Sequence, residues 1–198
     1  MLNSLNTTPQ TLPVIGIGTP DIKKMGVSVR RAATGADAIA IAEISHRGFL
    51  AAHQQAFTER DMRYYLSETF NPQQIIAEMG NPHIRFLVAE VRNKIVGTVR
   101  LSKKPPPHPI RLPAPMELSR LYLYPQWTGQ GVGSALMLQA LGTVPAAGFK
   151  SCWLSVWERN GRAIEFYHRW DFRPIGTEIL HVGQSAPVGL VMSRLLSP

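Results

Sequence analysis

Residues 117 to 134 read Glu117-Leu-Ser-Arg-Leu121-Tyr122-Leu123-Tyr-Pro125-Gln-Trp-Thr128-Gly129-Gln130-Gly131-Val132-Gly133-Ser134. The alternation from Met116 to Tyr124, stopped by Pro125, predicts a strand. Val132 to Ala147 predicts a largely buried helix, because Ala135, Leu136, Met137, Leu138 and Leu141 cover much of its circumference; Pro145 is expected to shorten it. The three glycines therefore fall between a strand and a helix, where the first helical amides have no intrahelical partner and the dipole adds about half a positive charge. Glycine allows the positive φ and close backbone approach that phosphate binding needs there. A nucleoside-triphosphate loop would require Lys after the last glycine, where Ser134 stands. A dinucleotide fold would require an acidic residue about 20 positions on, where Trp153 stands. A glycine-rich turn without a ligand remains open on the loop alone.

Upstream, Val27 to Arg31 alternates like a strand, and Thr34-Gly-Ala-Asp37 reads as a capping box before a helix from about Asp37 to Gln54. Thr58 to Glu68 and Pro72 to Met79 predict two short helices, and Ile84 to Val91 and Ile95 to Leu101 an antiparallel hairpin. Six prolines between Pro105 and Pro115 preclude regular structure. Ser151 to Trp157 predicts a strand covered on both faces. Asn160 opens a helix with Ala163, Phe166, Tyr167 and Trp170 on one stripe, and Phe172 to His181 and Val188 to Leu195 close the chain as strands.

The length of 198 residues suits one domain, expected over 27–198 behind a loosely ordered leader of residues 1–26. No apolar run approaches the roughly 20 residues of a membrane span. A single cysteine, Cys152, excludes an internal disulfide or a Cys-based zinc cage and fits a cytoplasmic protein; the six histidines lack metal-ligand spacing, so no metal is expected. The net charge of +8 admits a solvated basic surface, a nucleic acid or a polyanionic small molecule. Its scatter, without an aromatic-interleaved ribbon, argues against nucleic acid.

The stretch from Glu117 to Ser134, followed by Trp153-Leu-Ser-Val156-Trp-Glu-Arg-Asn160-Gly-Arg-Ala163-Ile-Glu-Phe166-Tyr167 and Phe172, resembles the GNAT superfamily of N-acetyltransferases. Within it, Tyr65-Leu-Ser-Glu-Thr-Phe70-Asn71 and Leu190-Val-Met-Ser-Arg are most similar to bacterial spermine/spermidine acetyltransferases of the PaiA type. The resemblance implies an α/β (α+β) fold: a mixed, mostly antiparallel sheet of about seven strands, helices on both faces, and splayed fourth and fifth strands. It implies transfer of an acetyl group from acetyl-coenzyme A to a primary amine in a ternary complex. A polyamine or other small amine is the first acceptor and a peptide amine the second, and a catalytically silent acyl-coenzyme A sensor is the alternative. It also admits a homodimer.

By the same resemblance, Leu121, Tyr122 and Leu123 would hold the pantetheine, with the Leu123 amide as oxyanion donor. The segment Thr128, Gly129, Gln130, Gly131, Val132, Gly133 and Ser134 would take the pyrophosphate. Asn160 would bind the pantetheine arm or act as an ordinary helix cap. Tyr167 would be the general acid, against core packing as its plainer role. Glu117 would be the base, against a carboxylate paired with Arg120 or another cation. Glu59, Asp61, Glu68 and Glu78 are either polyamine ligands or solvated helix faces. Three departures stand out: Thr128 where the family usually has Arg or Gln, Trp170-Asp171 where a glycine is common, and Ser155 where some protein N-terminal acetyltransferases carry a carboxylate.

Overall fold

The computed structural model describes residues 26–53 and 55–196, so the leader, apart from Gly26, and the expected helix end at Gln54 lie outside the described residues. The strand Val27–Arg31 (β1) leads into a capping box. The Thr34 hydroxyl accepts from the Asp37 amide (3.1 Å) and the Asp37 carboxylate from the Thr34 amide (3.0 Å), opening the helix Gly35–His53 (α1). Glu59–Thr69 (α2) is capped by Thr58, and Pro72–Gly80 (α3) by Asn71 with Pro72 at its first position. Ile84–Val91 (β2) and Lys94–Ser102 (β3) form the hairpin, turned by Arg92 and Asn93, both at positive φ, as a two-residue loop matched to strand twist requires.

The proline segment carries no regular element. It is anchored where Lys104 accepts from Trp153 Nε1 (2.9 Å) and Pro113 from Ser151 Oγ (2.8 Å). Pro115–Leu123 (β4), a 3₁₀ turn at Pro125–Trp127, Val132–Ala146 (α4), Ser151–Trp157 (β5), Gly161–Arg169 (α5), Arg173–Ile179 (β6) and Val188–Leu195 (β7) follow. Pro145 does not shorten α4. It lies in the last turn, where its missing N–H removes only one helical bond, and Gly148 at φ 84° closes the helix.

The strand order is β1-β2-β3-β4-β5-β7-β6, and among the described residues β4–β5 is the only parallel pair, joined through α4. The sheet thus has the seven strands, mostly antiparallel, of the expected fold. On one face α4 and α5 pack through Leu136, Met137, Ala140 and Phe166 onto Leu118, Leu121, Leu123, Cys152 and Leu154. On the other, α1, α2 and α3 bury Ile41, Ile75, Phe49, Leu66 and Phe70 against β2 and β4. Gly48 lets α1 approach β4 closely, since a Cβ there would come within 2.8 Å of Tyr122 Cβ.

Candidate active site

Pairing between β4 and β5 runs only from Pro115↔Ser151 to Glu117↔Trp153, although both strands continue beyond it. The cause is local. Against β3 the register shifts so that Arg100 faces Arg120 but Leu101 faces Leu118, leaving Ser119 as a bulge that turns β4 away from β5. The Tyr124 amide still bonds Val96 on β3 (3.1 Å). By alternation, the main-chain groups of Leu121 and Leu123 face the gap and those of Tyr122 face β3. The Tyr122 ring packs on the α1–α3 face with Phe49 and Phe70, and burial drives its phenol well above the usual value.

Beside the gap, Gly129 and Gly131 sit at φ 80° and 77°, and the first bond of α4 runs from the Ala135 amide to Gly131 O (3.0 Å). The amides of Val132, Gly133 and Ser134 are left without a partner inside the helix. α5 closes over this start: a Cβ on Gly133 would touch the Phe166 ring at 3.6 Å. Together these elements wall a cleft of about 780 Å³.

The cleft brings together Leu121, Tyr122, Leu123, Thr128, Gly129, Gly131, Gly133, Ser134, Asn160 and Tyr167 of the expected set. Gln130 and Val132 do not contribute side chains: Gln130 Nε2 donates back to Gln126 O (2.6 Å), and the Val132 side chain is in the core. Asn160 caps α5, its Oδ1 accepting from the Ala163 amide (3.2 Å). Burial, and then Cys152, keep the Tyr167 phenol above its ordinary value, so it is protonated at neutral pH.

Glu117 stands apart. It lies where β4 and β5 still pair, outside the cleft wall, accepting from Ser102 Oγ (2.6 Å) and 3.6 Å from Lys104. Of the cations expected beside it, the one present is the exposed Lys104, while Arg120 bonds Glu78 (3.0 Å). Glu59, Asp61, Glu68 and Glu78 are also absent from the described wall; Asp61 accepts from Ser185 Oγ (2.6 Å) and its amide (3.0 Å), tying the β6–β7 connection to α2.

Two groups escaped the sequence reading. Arg159, Arg162 and Arg169 line the α5 side, and Arg162, Phe166 and Arg169 share a helical stripe that marked them as neighbours. His53 lines the other side, stacked on Phe49 and 6.3 Å from Trp157 between ring centroids. Its Nδ1 is 3.0 Å from Phe49 O, a carbonyl that can only accept, so the proton is on Nδ1 and Nε2 holds the lone pair. Burial holds its pKa below the ordinary histidine value, so the ring is neutral at pH 7. Nothing in the local sequence distinguishes it from a helix-end histidine.

The model of the acetyltransferase (GNAT) family matches residues 46–172, a span that contains both the gap and the glycine loop. The chain belongs to the GNAT family. An uncharacterised N-acetyltransferase of Mycobacterium tuberculosis is 28% identical over 160 residues, covering 81% of this chain and 98% of the relative. Spermidine N(1)-acetyltransferase of Thermoplasma acidophilum is 22% identical, covering 78% and 92%. Among solved structures, the PaiA N-acetyltransferase of T. acidophilum in complex with coenzyme A superposes with a TM-score of 0.65 at 20% identity, over 86% of this chain and 99% of that one. This GNAT protein is therefore an N-acetyltransferase with acetyl-coenzyme A as its acyl donor. Among the described residues, no helix is long and apolar enough to cross a membrane.

Proposed function

We propose that this enzyme acetylates the primary amine of a small acceptor by direct attack on acetyl-coenzyme A in a ternary complex. The observation that carries the reading is the gap between β4 and β5, into which the Leu121 and Leu123 main chain points beside the unpaired amides that open α4. The residues present fit the donor. The Gly129–Ser134 amides would grip the pyrophosphate, and Arg159, Arg162 and Arg169 would supply the charge that Thr128 does not. Leu121 and Leu123 would hold the pantetheine, as would Asn160 Nδ2, which the cap leaves unused.

In this reading the Leu123 amide stabilises the oxyanion that develops on the acetyl carbonyl. His53 Nε2 takes the amine proton, in place of Glu117, as the new C–N bond forms. Tyr167 gives its proton to the departing thiolate as the C–S bond breaks. Direct attack is supported by the idleness of the nearby nucleophiles. Burial pushes the Cys152 thiol up to about 12, and Ser155 Oγ has no partner to take its proton. The spermidine-acetylating relative supports a polyamine acceptor; the lack of any carboxylate in the described cleft wall weighs the other way.

The test is release of free coenzyme A with acetyl-coenzyme A and a panel of polyamines, amino acids, simple amines and peptide N-termini. Turnover of at least one small amine is expected. Donor binding without turnover across the panel would favour a silent sensor. Tyr167→Phe should lower kcat about 100-fold with donor Kd preserved, and His53→Gln should lower kcat/KM for the amine by a similar factor. Equal loss of donor affinity in either variant contradicts its role.

A further inference from the structure

The wall of the cleft is unbalanced in charge. Among the described residues it contains Arg120, Arg159, Arg162 and Arg169 and no aspartate or glutamate. The three arginines at and before α5 flank the glycine loop, where an anionic donor accounts for them. Arg120 is on the opposite face of the sheet, bonded to Glu78 of α3 and lying over the Phe70 ring at 5.1 Å.

That Glu78 is already shared. Arg100 Nε and Arg120 Nη1 both reach its Oε2 at 3.0 Å. The next carboxylate, Glu117, is held by Ser102 and Lys104. Three cations thus face two carboxylates on this face of β3 and β4. The pKa of Arg100 is pulled down by burial first; Glu78 opposes that pull, and Arg120 adds to it.

We infer that the acceptor amine carries a carboxylate, and that Arg120, from the α1–α3 side of the gap, is the group that receives it. The inference rests on the acetyltransferase reading of the cleft and deepens it. Arg120 suits the task because its guanidinium is already immobilised, with side-chain exposure of 13%, between Glu78 and Phe70. A planar fork fixed in advance loses little entropy on binding a carboxylate, and it retains donors beyond those spent on Glu78. A polyamine, by contrast, would bring a second cation into a partly buried wall that offers no carboxylate to receive it. Glu59 and Glu68 are not on the wall, and Asp61 is committed to Ser185.

The experiment compares acceptors that differ only at the second group: 4-aminobutanoate, butylamine and putrescine as one series, leucine and 3-methylbutylamine as another, with spermidine alongside. In at least one series the carboxylated amine should show kcat/KM about tenfold or more above its neutral counterpart, with the polyamines lowest. Arg120→Gln should abolish that preference through a rise in KM of about 10- to 100-fold for the carboxylated acceptor, leaving donor Kd unchanged. Arg120→Lys should retain part of it. Glu78 keeps Arg100 as its partner in both variants, and thermal melting verifies that they fold. Polyamines turned over as well as carboxylated amines, or a preference that survives Arg120→Gln, overturns the inference. Calorimetric binding of the carboxylated amines to the coenzyme A complex separates the two levels. Absence of turnover with all amines defeats the acetyl-transfer reading, whereas absence of Arg120-dependent binding defeats this one.

Discussion

The Asp37 carboxylate accepts from Arg30 at 2.7 and 2.9 Å and from the Ala33 and Thr34 amides at 2.8 and 3.0 Å, with only 3% of its side chain exposed. The Arg30 hydrogen bonds are the main reason its pKa lies well below the ordinary 3.8, and the two amides add to them. A depressed folded value means that this stabilisation is complete above the unfolded pKa and drains away as pH falls below it. Asp37→Asn should therefore cost about 1–2 kcal/mol at pH 7, and the gap to the native protein should narrow at pH 3 in denaturant titrations. An equal gap at both pH values would contradict the pairing. The Thr34–Asp37 spacing announced the cap, but Arg30 could not be assigned to it, because the strand-to-helix corner is set by packing. The helix that carries Tyr167 to the cleft wall was legible, because its apolar stripe and the Asn160 cap are both local. The place of Glu117 outside the cleft wall was not legible, because its distance from Gly129 is a sequence quantity, whereas its position depends on where β4 and β5 stop pairing.

At the scale of elements, the exit of α5 shows how a departure from a common pattern is accommodated. Asp171 takes φ 58°, its amide bonds His168 O (3.0 Å), and the Phe172 amide bonds Tyr167 O (3.1 Å). This is the closing pattern that usually employs glycine, completed by the Phe172 and Tyr167 rings at 6.0 Å. Aspartate tolerates the left-handed region at a cost, so Asp171→Gly should stabilise the protein by about 0.5–1 kcal/mol, seen as a raised Tm with acetyl-transfer rates unchanged. A lower Tm would mean that the Asp171 side chain contributes more than its backbone strain costs. Strand and helix identities were readable from period and caps throughout. The bulge at Ser119 was not, because a single inserted residue leaves the alternation on either side intact and reveals itself only against the partner strand.

For the whole molecule, the net charge of +8 acquires a direction once the chain is folded. Arg159, Arg162 and Arg169 line one cleft whose described wall holds no carboxylate, so the field there should favour an anionic donor from a distance. Raising ionic strength from 50 to 500 mM should lower kcat/KM for acetyl-coenzyme A about tenfold, mainly through association, while kcat changes little. Salt independence would assign the arginines to solvation alone. Composition could supply the sign of this field but not its focus, which arises from the approach of α5 to the start of α4.

The end of pairing after Glu117 and Trp153 has one further consequence. It makes the sheet a perforated partition. The side bearing α4 and α5 presents the glycine loop, Asn160 and the α5 arginines, and the side bearing α1 to α3 presents Arg120 and His53. In the proposed reading donor and acceptor would have separate doors, and neither product would wait for the other to vacate its route. A single molecule joining the two substrates would have to be threaded through the protein, with its waist held between two strands.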